Sequence, residues 1–188
     1  MSDNAQAEAG TAEGQGPVKI DEEPARHLEN KREDLFEKFD IRDEFPPEVI
    51  QEAEERTEDV QQEIQDELDE REDLRDLTTW TTDPIDAQDF DDALSIRENE
   101  DSYTLWVHIA DVTHYVHPES RMWEEAVQRS NTVYLPAYTM HMLPPTLAET
   151  VCSLVPNEDR LAHTVEMHID RETLSYESVD IYKSVINS

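Results

Sequence analysis

The chain is predicted to be an α+β protein, a sheet-containing domain preceded by an acidic helical arm, and three features of its 188 residues carry that prediction. Apolar residues recur at helical spacing beneath dense Glu and Asp as far as Leu77. After Thr78 the texture changes to β-branched and aromatic runs separated by proline. The apolar share, 36%, is too small to pack the whole length but large enough for one core, so part of the chain is expected to lie outside it.

Residues 1–20 are rich in Ala, Glu, Gln and Gly without apolar periodicity and read as a disordered leader. Residues 21–77 form the arm. Leu28, Leu35, Phe36 and Phe39 share one helical face, which predicts a short amphipathic helix from Asp21 to about Ile41. Pro46 and Pro47 open a second helix, whose stripe of Val49, Ile50, Ala53, Val60, Ile64, Leu68, Leu74 and Leu77 is interrupted at most once. Residues 78–188 are the α+β part. Ala93 to Arg97 and Tyr103 to Ala110 are predicted strands, joined by Glu98-Asn99-Glu100-Asp101 into a hairpin without glycine. Glu124 to Arg129 is predicted helical, and Asn131 to Leu135 and Thr164 to Ile169 as strands. Pro136, Pro144, Pro145 and Pro156 mark the loops between them. No internal repeat is present.

Composition excludes several classes of function. With 47 acidic against 15 basic residues the net charge is −32, which rules out the usual basic nucleic-acid surface. The basic residues are mostly Arg, and acids punctuate every segment, the pattern expected of a protein adapted to a salt-rich cell interior, where the Debye length shrinks to about 3 Å. Cys152 is the single cysteine, so no internal disulfide and no cysteine-built metal site can form. A reducing compartment and a small buried thiol are expected. The absence of a signal-like start or a run of 18 apolar residues adds the expectation of a cytoplasmic protein with no membrane partner. All three glycines, Gly10, Gly14 and Gly16, precede Pro17, which excludes Walker-type loops, dinucleotide-binding turns and the hydrolase nucleophile elbow from the rest of the chain.

Chemistry concentrates in Thr81-Thr82-Asp83-Pro84-Ile85-Asp86-Ala87-Gln88-Asp89-Phe90-Asp91-Asp92-Ala93, which places five aspartates just ahead of a predicted strand. Short carboxylates freeze fewer rotamers than Glu when they hold a hard cation, and magnesium takes oxygen ligands at about 2.1 Å. Without a cation, groups packed this closely raise one another's pKa, and a divalent ion reverses that tendency. An EF-hand is excluded because no register supplies its central glycine. Aspartates with two ions about 4 Å apart suit in-line displacement at phosphorus, so phosphodiester hydrolysis is the leading reaction class, weighed against a merely solvated acidic loop.

Four collinear segments resemble the RNB catalytic domain of the ribonuclease II and ribonuclease R family. They are Thr82-Asp83-Pro84 through Asp89-Phe90-Asp91-Asp92-Ala93; His108-Ile109-Ala110-Asp111-Val112 with Tyr115-Val116; Tyr134-Leu135-Pro136 with Met142-Leu143-Pro144; and Cys152-Ser153-Leu154 with Pro156 and Asp159-Arg160-Leu161-Ala162. Phe45-Pro46-Pro47-Glu48-Val49 and Arg71-Glu72-Asp73-Leu74-Arg75 resemble the helical linker ahead of that domain in ribonuclease R. The resemblance implies a processive 3′-to-5′ exoribonuclease that uses magnesium, or manganese in its place, to release nucleoside 5′-monophosphates from single-stranded RNA. It carries metal-binding and catalytic roles to Asp83, Asp89, Asp91 and Asp92, with Asp91 expected to be the most rate-critical, and an RNA contact to Tyr134. Asp86 is expected to be structural. Three positions depart from the family pattern: Thr82 where an apolar residue is usual, Glu119 where glycine is common and His141 where proline is common. The arm lacks the aromatic-rich strands of cold-shock domains. Residues 78–188 are accordingly expected to be the amino-terminal part of the catalytic domain, partnered by its carboxy-terminal half or by a complementing chain, and inactive alone.

Other residues read more simply. His108, His114 and His117 lack the spacing of a metal site and are expected in the core or at the surface. Asp111 is expected either to support the aspartates or to bond neighbouring backbone. Arg160 is expected to pair with local carboxylates in preference to phosphate. Ser95, Ser130 and Ser153 have no evident base. Two other readings stay open, a catalytically dead RNB-derived RNA-binding module and an acidic scaffold whose Val49 to Leu77 helix binds a partner. The charge pattern predicts that the melting temperature rises by more than about 10 °C between dilute buffer and multimolar KCl, measured by circular dichroism; an unchanged value would refute the salt adaptation.

Overall fold

The computed structural model describes residues 34, 36–39, 42, 44–84, 87–135 and 138–188. The leader and most of the helix expected over 21–41 lie outside the described residues, although 34 and 36–39 are helical. The chain divides into two units, 1–41 and 42–188. Everything below concerns the second.

Helix α1 (Pro47–Arg56) starts on a proline pair and buries Val49 and Ala53; helix α2 (Val60–Glu67) buries Ile64. The break falls at Thr57–Asp59, where Asp59 takes a positive φ of 55°. A 3-10 turn, Leu68–Glu70, ends the helical region seven residues before the expected Leu77. The backbone beyond it finds partners at a sheet edge: strand β1 (Glu72–Asp73) pairs parallel with the last strand, and Leu74 N–H donates to the Val185 carbonyl at 2.9 Å. A ladder position outweighs the helical propensity of Leu74 and Leu77.

The expected hairpin is present as β3 (Asp92–Glu98) and β4 (Ser102–Ala110), preceded by the short β2 (Thr79–Trp80). After β4 come a one-turn helix α3 (Val112–Tyr115) and α4 (Arg121–Arg129), the latter capped by the Ser120 hydroxyl, which accepts from Trp123 N–H. A separate hairpin of β5 (Val133–Leu135) and β6 (Tyr138–Met140) follows, then a π-helical turn, Leu147–Val151. Strands β7 (Asp159–Asp170) and β8 (Tyr176–Asn187) complete a six-stranded sheet of order β1-β8-β7-β4-β3-β2, antiparallel except for β1. Sequence periodicity shows only the middle of β7 and misses β8, whose outer half alternates charged and apolar side chains that are largely exposed.

The main core joins Val49, Ala53 and Ile64 of the helices to Tyr115, Met122, Leu147, Val151, Leu161 and Val185. The acidic helices therefore share a core with the sheet. A smaller cluster of Ala93, Ala110, Leu154, Ala162 and Ile186 packs against Leu74 and Phe90.

With no glycine available, turns force ordinary residues into left-handed backbone: Asp59, Glu119, Ser130, Asn157 and Leu174 all have φ between 54° and 73°. Glu119, at φ 73°, occupies a position whose geometry suits glycine.

One sheet face carries a chain of side-chain hydrogen bonds across five strands. Thr79 Oγ1 lies 2.8 Å from Ser95 Oγ, Ser95 Oγ 3.0 Å from His108 Nε2, His108 Nδ1 2.8 Å from Thr164 Oγ1, and Thr164 Oγ1 2.6 Å from Ser184 Oγ. His108 is fully buried, and burial pushes its imidazole down to about 4. The unfolded chain takes a proton there near pH 6.5 that the native state refuses, so His108 erodes stability as pH falls from about 6.5 to 4, by up to about 3 kcal/mol. Urea midpoints over that interval should fall further for the natural chain than for His108→Gln.

Candidate active site

The predicted aspartates sit on the connection between β2 and β3, a stretch held by its main chain. Phe90 N–H donates to the Ser153 hydroxyl at 3.0 Å, and that hydroxyl donates to the Gln88 carbonyl at 3.1 Å, bracketing Asp89. Leu154 N–H donates to the Phe90 carbonyl at 2.9 Å, and Ala110 N–H, at the end of β4, donates to the Asp91 carbonyl at 3.0 Å. Ser153 is fully buried, and the Arg160 guanidinium fixes its segment by donating from Nε to the carbonyls of Thr150 and Ser153 at 3.1 and 3.0 Å. Arg160 thus binds backbone, with Glu158 its nearest carboxylate at 3.7 Å. Ser153 does have a role, one that only the fold reveals: its hydroxyl completes a backbone.

Asp83, Asp89 and Asp91 line one cleft of about 680 Å³ with Gln88, Tyr134, Thr139, His141 and Glu149. Asp92 is the first residue of β3, paired with Ile109 outside this lining, and Asp86 lies outside the described residues. The Tyr134 hydroxyl, brought in by β5, donates to Asp89 Oδ2 at 3.0 Å. The Tyr134 ring is 65% exposed. Desolvation pushes the Tyr134 phenol up, and Asp89 and Asp91 add to it. Partial desolvation also raises the Asp91 carboxyl above its ordinary value, reinforced by the charges of Asp89, Asp92 and Asp83. Three of the aspartates predicted from sequence, Asp83, Asp89 and Asp92, therefore act electrostatically on the fourth, Asp91, and Tyr134 touches Asp89 directly.

The donor set suits a hard divalent cation: oxygen ligands only, and mutual repulsion that such an ion relieves. Among the described residues no group of three or more His, Cys, Asp or Glu side chains is placed to hold a metal ion by itself. A cation held here would complete its shell with water and substrate oxygens, as magnesium commonly does.

The other titratable candidates fall elsewhere. Asp111 caps α3, accepting from His114 N–H at 3.1 Å, and pairs with the buried Arg71 at 2.8 Å. Burial pushes its carboxyl up, but Arg71 and the Thr113 hydroxyl outweigh that and hold it below the ordinary value. Asp111 is thus a structural residue of the helix–sheet junction. Cys152 is buried, which pushes its thiol up to about 12 and leaves it inert at neutral pH. His141, noted in the sequence only as a departure from the family pattern, and Glu149, which no sequence pattern singled out, enter the cleft because the β5–β6 hairpin and the π-helical turn bring them to it.

A sheet domain that presents a main-chain-anchored loop of aspartates beside an exposed tyrosine has the layout of a carboxylate-centred hydrolase. Residues 71–188 match the RNB domain model. The chain is 44% identical over 151 residues to Ribonuclease R of Chlamydia muridarum, covering 80% of this chain and 21% of that protein. It is 43% identical over 155 residues to Ribonuclease R of Aquifex aeolicus, covering 82% and 21%. Among solved structures, Mycoplasma genitalium RNase R in complex with double-stranded RNA matches with a TM-score of 0.75 at 30% identity, over 82% of this chain and 27% of that one. Yeast Ssd1, a pseudonuclease, shares the fold with a TM-score of 0.61 at 24% identity. The chain belongs to the RNB domain family. It spans about a fifth of the length of these curated relatives.

Replacing Ser153 with Ala strands the Phe90 N–H and the Gln88 carbonyl. It should cost about 1–3 kcal/mol in urea unfolding and speed amide exchange at Phe90 and Leu154, with little change at strand β7.

Proposed function

We propose that this chain contributes the aspartate-bearing part of a 3′-to-5′ exoribonuclease that degrades single-stranded RNA to nucleoside 5′-monophosphates in the cytoplasm. Among the described residues no helix is long and apolar enough to cross a membrane. One observation carries the proposal. Asp91 is raised by partial desolvation, reinforced by the charges of Asp89, Asp92 and Asp83, and the Tyr134 hydroxyl lies on Asp89, which puts a carboxylate cluster centred on Asp91 and an aromatic platform at the same place.

Asp83, Asp89, Asp91 and Asp92 are the residues that would hold magnesium, or manganese in its place. Such an ion supplies charge neutralisation at the phosphate and an activated water. The anchored backbone keeps Asp89 and Asp91 in place without reorganisation, and the Tyr134 hydroxyl orients Asp89. The exposed face of Tyr134 is available for stacking by a base at the 3′ end of the strand, a contact insensitive to salt. Residues 78–188 are proposed as the amino-terminal part of the catalytic domain, residues 21–77 as its helical arm and residues 1–20 as a leader, with the rest of the domain supplied as a partner segment.

The test is degradation of a 3′-tailed, 5′-labelled RNA with magnesium in multimolar KCl, comparing the full protein with its Asp91→Asn variant. Monophosphate release should fall by at least about 10²-fold in the variant. The melting temperature without divalent ions should hold or rise, because a mutually repelled charge is removed. Equal release by both proteins would overturn the assignment, and RNA binding without release by either would favour a dead module.

A further inference from the structure

The cleft has one feature that the aspartates do not explain. Of the described side chains lining it, His141 alone can carry a positive charge. A second cavity is lined by Asp89, Asp91, Tyr134 and His141 as well, and among the described residues His141 is its one basic side chain too. An RNA strand seated on Tyr134 would carry its phosphates past four carboxylates and this single imidazole.

His141 is also held in place. It directly follows β6, and its carbonyl accepts from Arg129 Nη1 at 3.3 Å. Arg129 is itself anchored by Glu125 at 2.9 Å and stacked on the Phe45 ring 3.7 Å from the centroid. On the other side, Met142 N–H donates to the Thr132 hydroxyl at 3.1 Å. The imidazole Nε2 lies 3.4 Å from Glu149 Oε1, a carboxylate delivered by the π-helical turn. With Nε2 facing Glu149, Nδ1 is the ring nitrogen left for a second partner, and it donates whenever the ring carries both protons.

We propose that His141 is a substrate-binding residue that donates to a non-bridging oxygen of an RNA phosphodiester, with Glu149 holding the ring in position. The inference rests on the nuclease reading above and adds a contact that the family pattern does not supply, since that pattern commonly has proline at this position. A single fixed imidazole places one phosphate while leaving the cleft too acidic for non-specific polyanion binding.

The test measures binding of a 5′-fluorescein-labelled single-stranded RNA by anisotropy, and hydrolysis of the same RNA, for the full protein and its His141→Gln, His141→Arg and Glu149→Gln variants. His141→Gln should weaken binding and raise KM about fivefold with kcat within a factor of two, His141→Arg should restore affinity, and Glu149→Gln should fall between. Variants that all bind RNA like the parent would overturn the inference, and if hydrolysis still depends on Asp91 the nuclease reading stands. A His141 effect on binding in a protein that hydrolyses nothing would sustain the contact and remove the nuclease. No RNA binding by the parent would overturn both.

Discussion

The site depends on main-chain anchoring of an acidic loop. Aspartates packed this closely repel one another, and a free loop would relax by spreading them apart. Here the backbone lacks that freedom: Ala110 holds the Asp91 carbonyl from the end of β4, and Ser153 and Leu154 hold Gln88 and Phe90. The loop is fixed by neutral peptide groups, so the carboxylates stay available to a cation and substrate. Burial does most to raise the Asp91 carboxyl, and the charges of Asp89, Asp92 and Asp83 add the repulsion that the anchors oppose.

Those anchors belong to different parts of the chain, and each has its own support. The Ser153 segment is held by Arg160 at the start of β7, which uses its charge on backbone carbonyls. The far end of β4 leads into Asp111, whose ion pair with Arg71 ties the helical segment to the sheet. The Arg71 side chain is fully desolvated and pairs with Glu67 as well as Asp111, so removing Arg71 would leave the buried Asp111 without its guanidinium partner. Glu67 and Glu63 extend the network to His114 and Arg56. In a chain with a net charge of −32, Arg71, Arg75, Arg129 and Arg160 each join separate segments.

Much of the site was legible in sequence because its chemistry is local. Five aspartates in ten residues, proline punctuation and the Tyr134 segment are visible without a fold. The β3–β4 hairpin and α4 were readable for the same reason, since alternation and 3.6-residue periodicity are properties of short windows. Strands β1, β2 and β8 were not, because they pair with distant segments and their own patterns are weak. Leu74 and Leu77 continue a helical stripe, yet the chain leaves the helix at Glu70 to place Leu74 against β8. Ser153 shows the same limit: a serine without a base is uninformative until the fold places Phe90 N–H and Gln88 C=O on its hydroxyl.

By itself, then, the sequence determined the residue chemistry: an acidic α+β protein, a dense run of aspartates, a single cysteine and no glycine after Gly16 to cradle a phosphate. The tertiary structure decided which of these groups meet. It put Tyr134 on Asp89, left Asp92 at the head of a strand, gave Asp111 to Arg71 and brought His141 with Glu149 into the cleft. The reason is physical. The kind of bond a side chain can make is set within the residue, whereas the partner it meets depends on strand register and packing that join residues 40 to 80 positions apart in the chain.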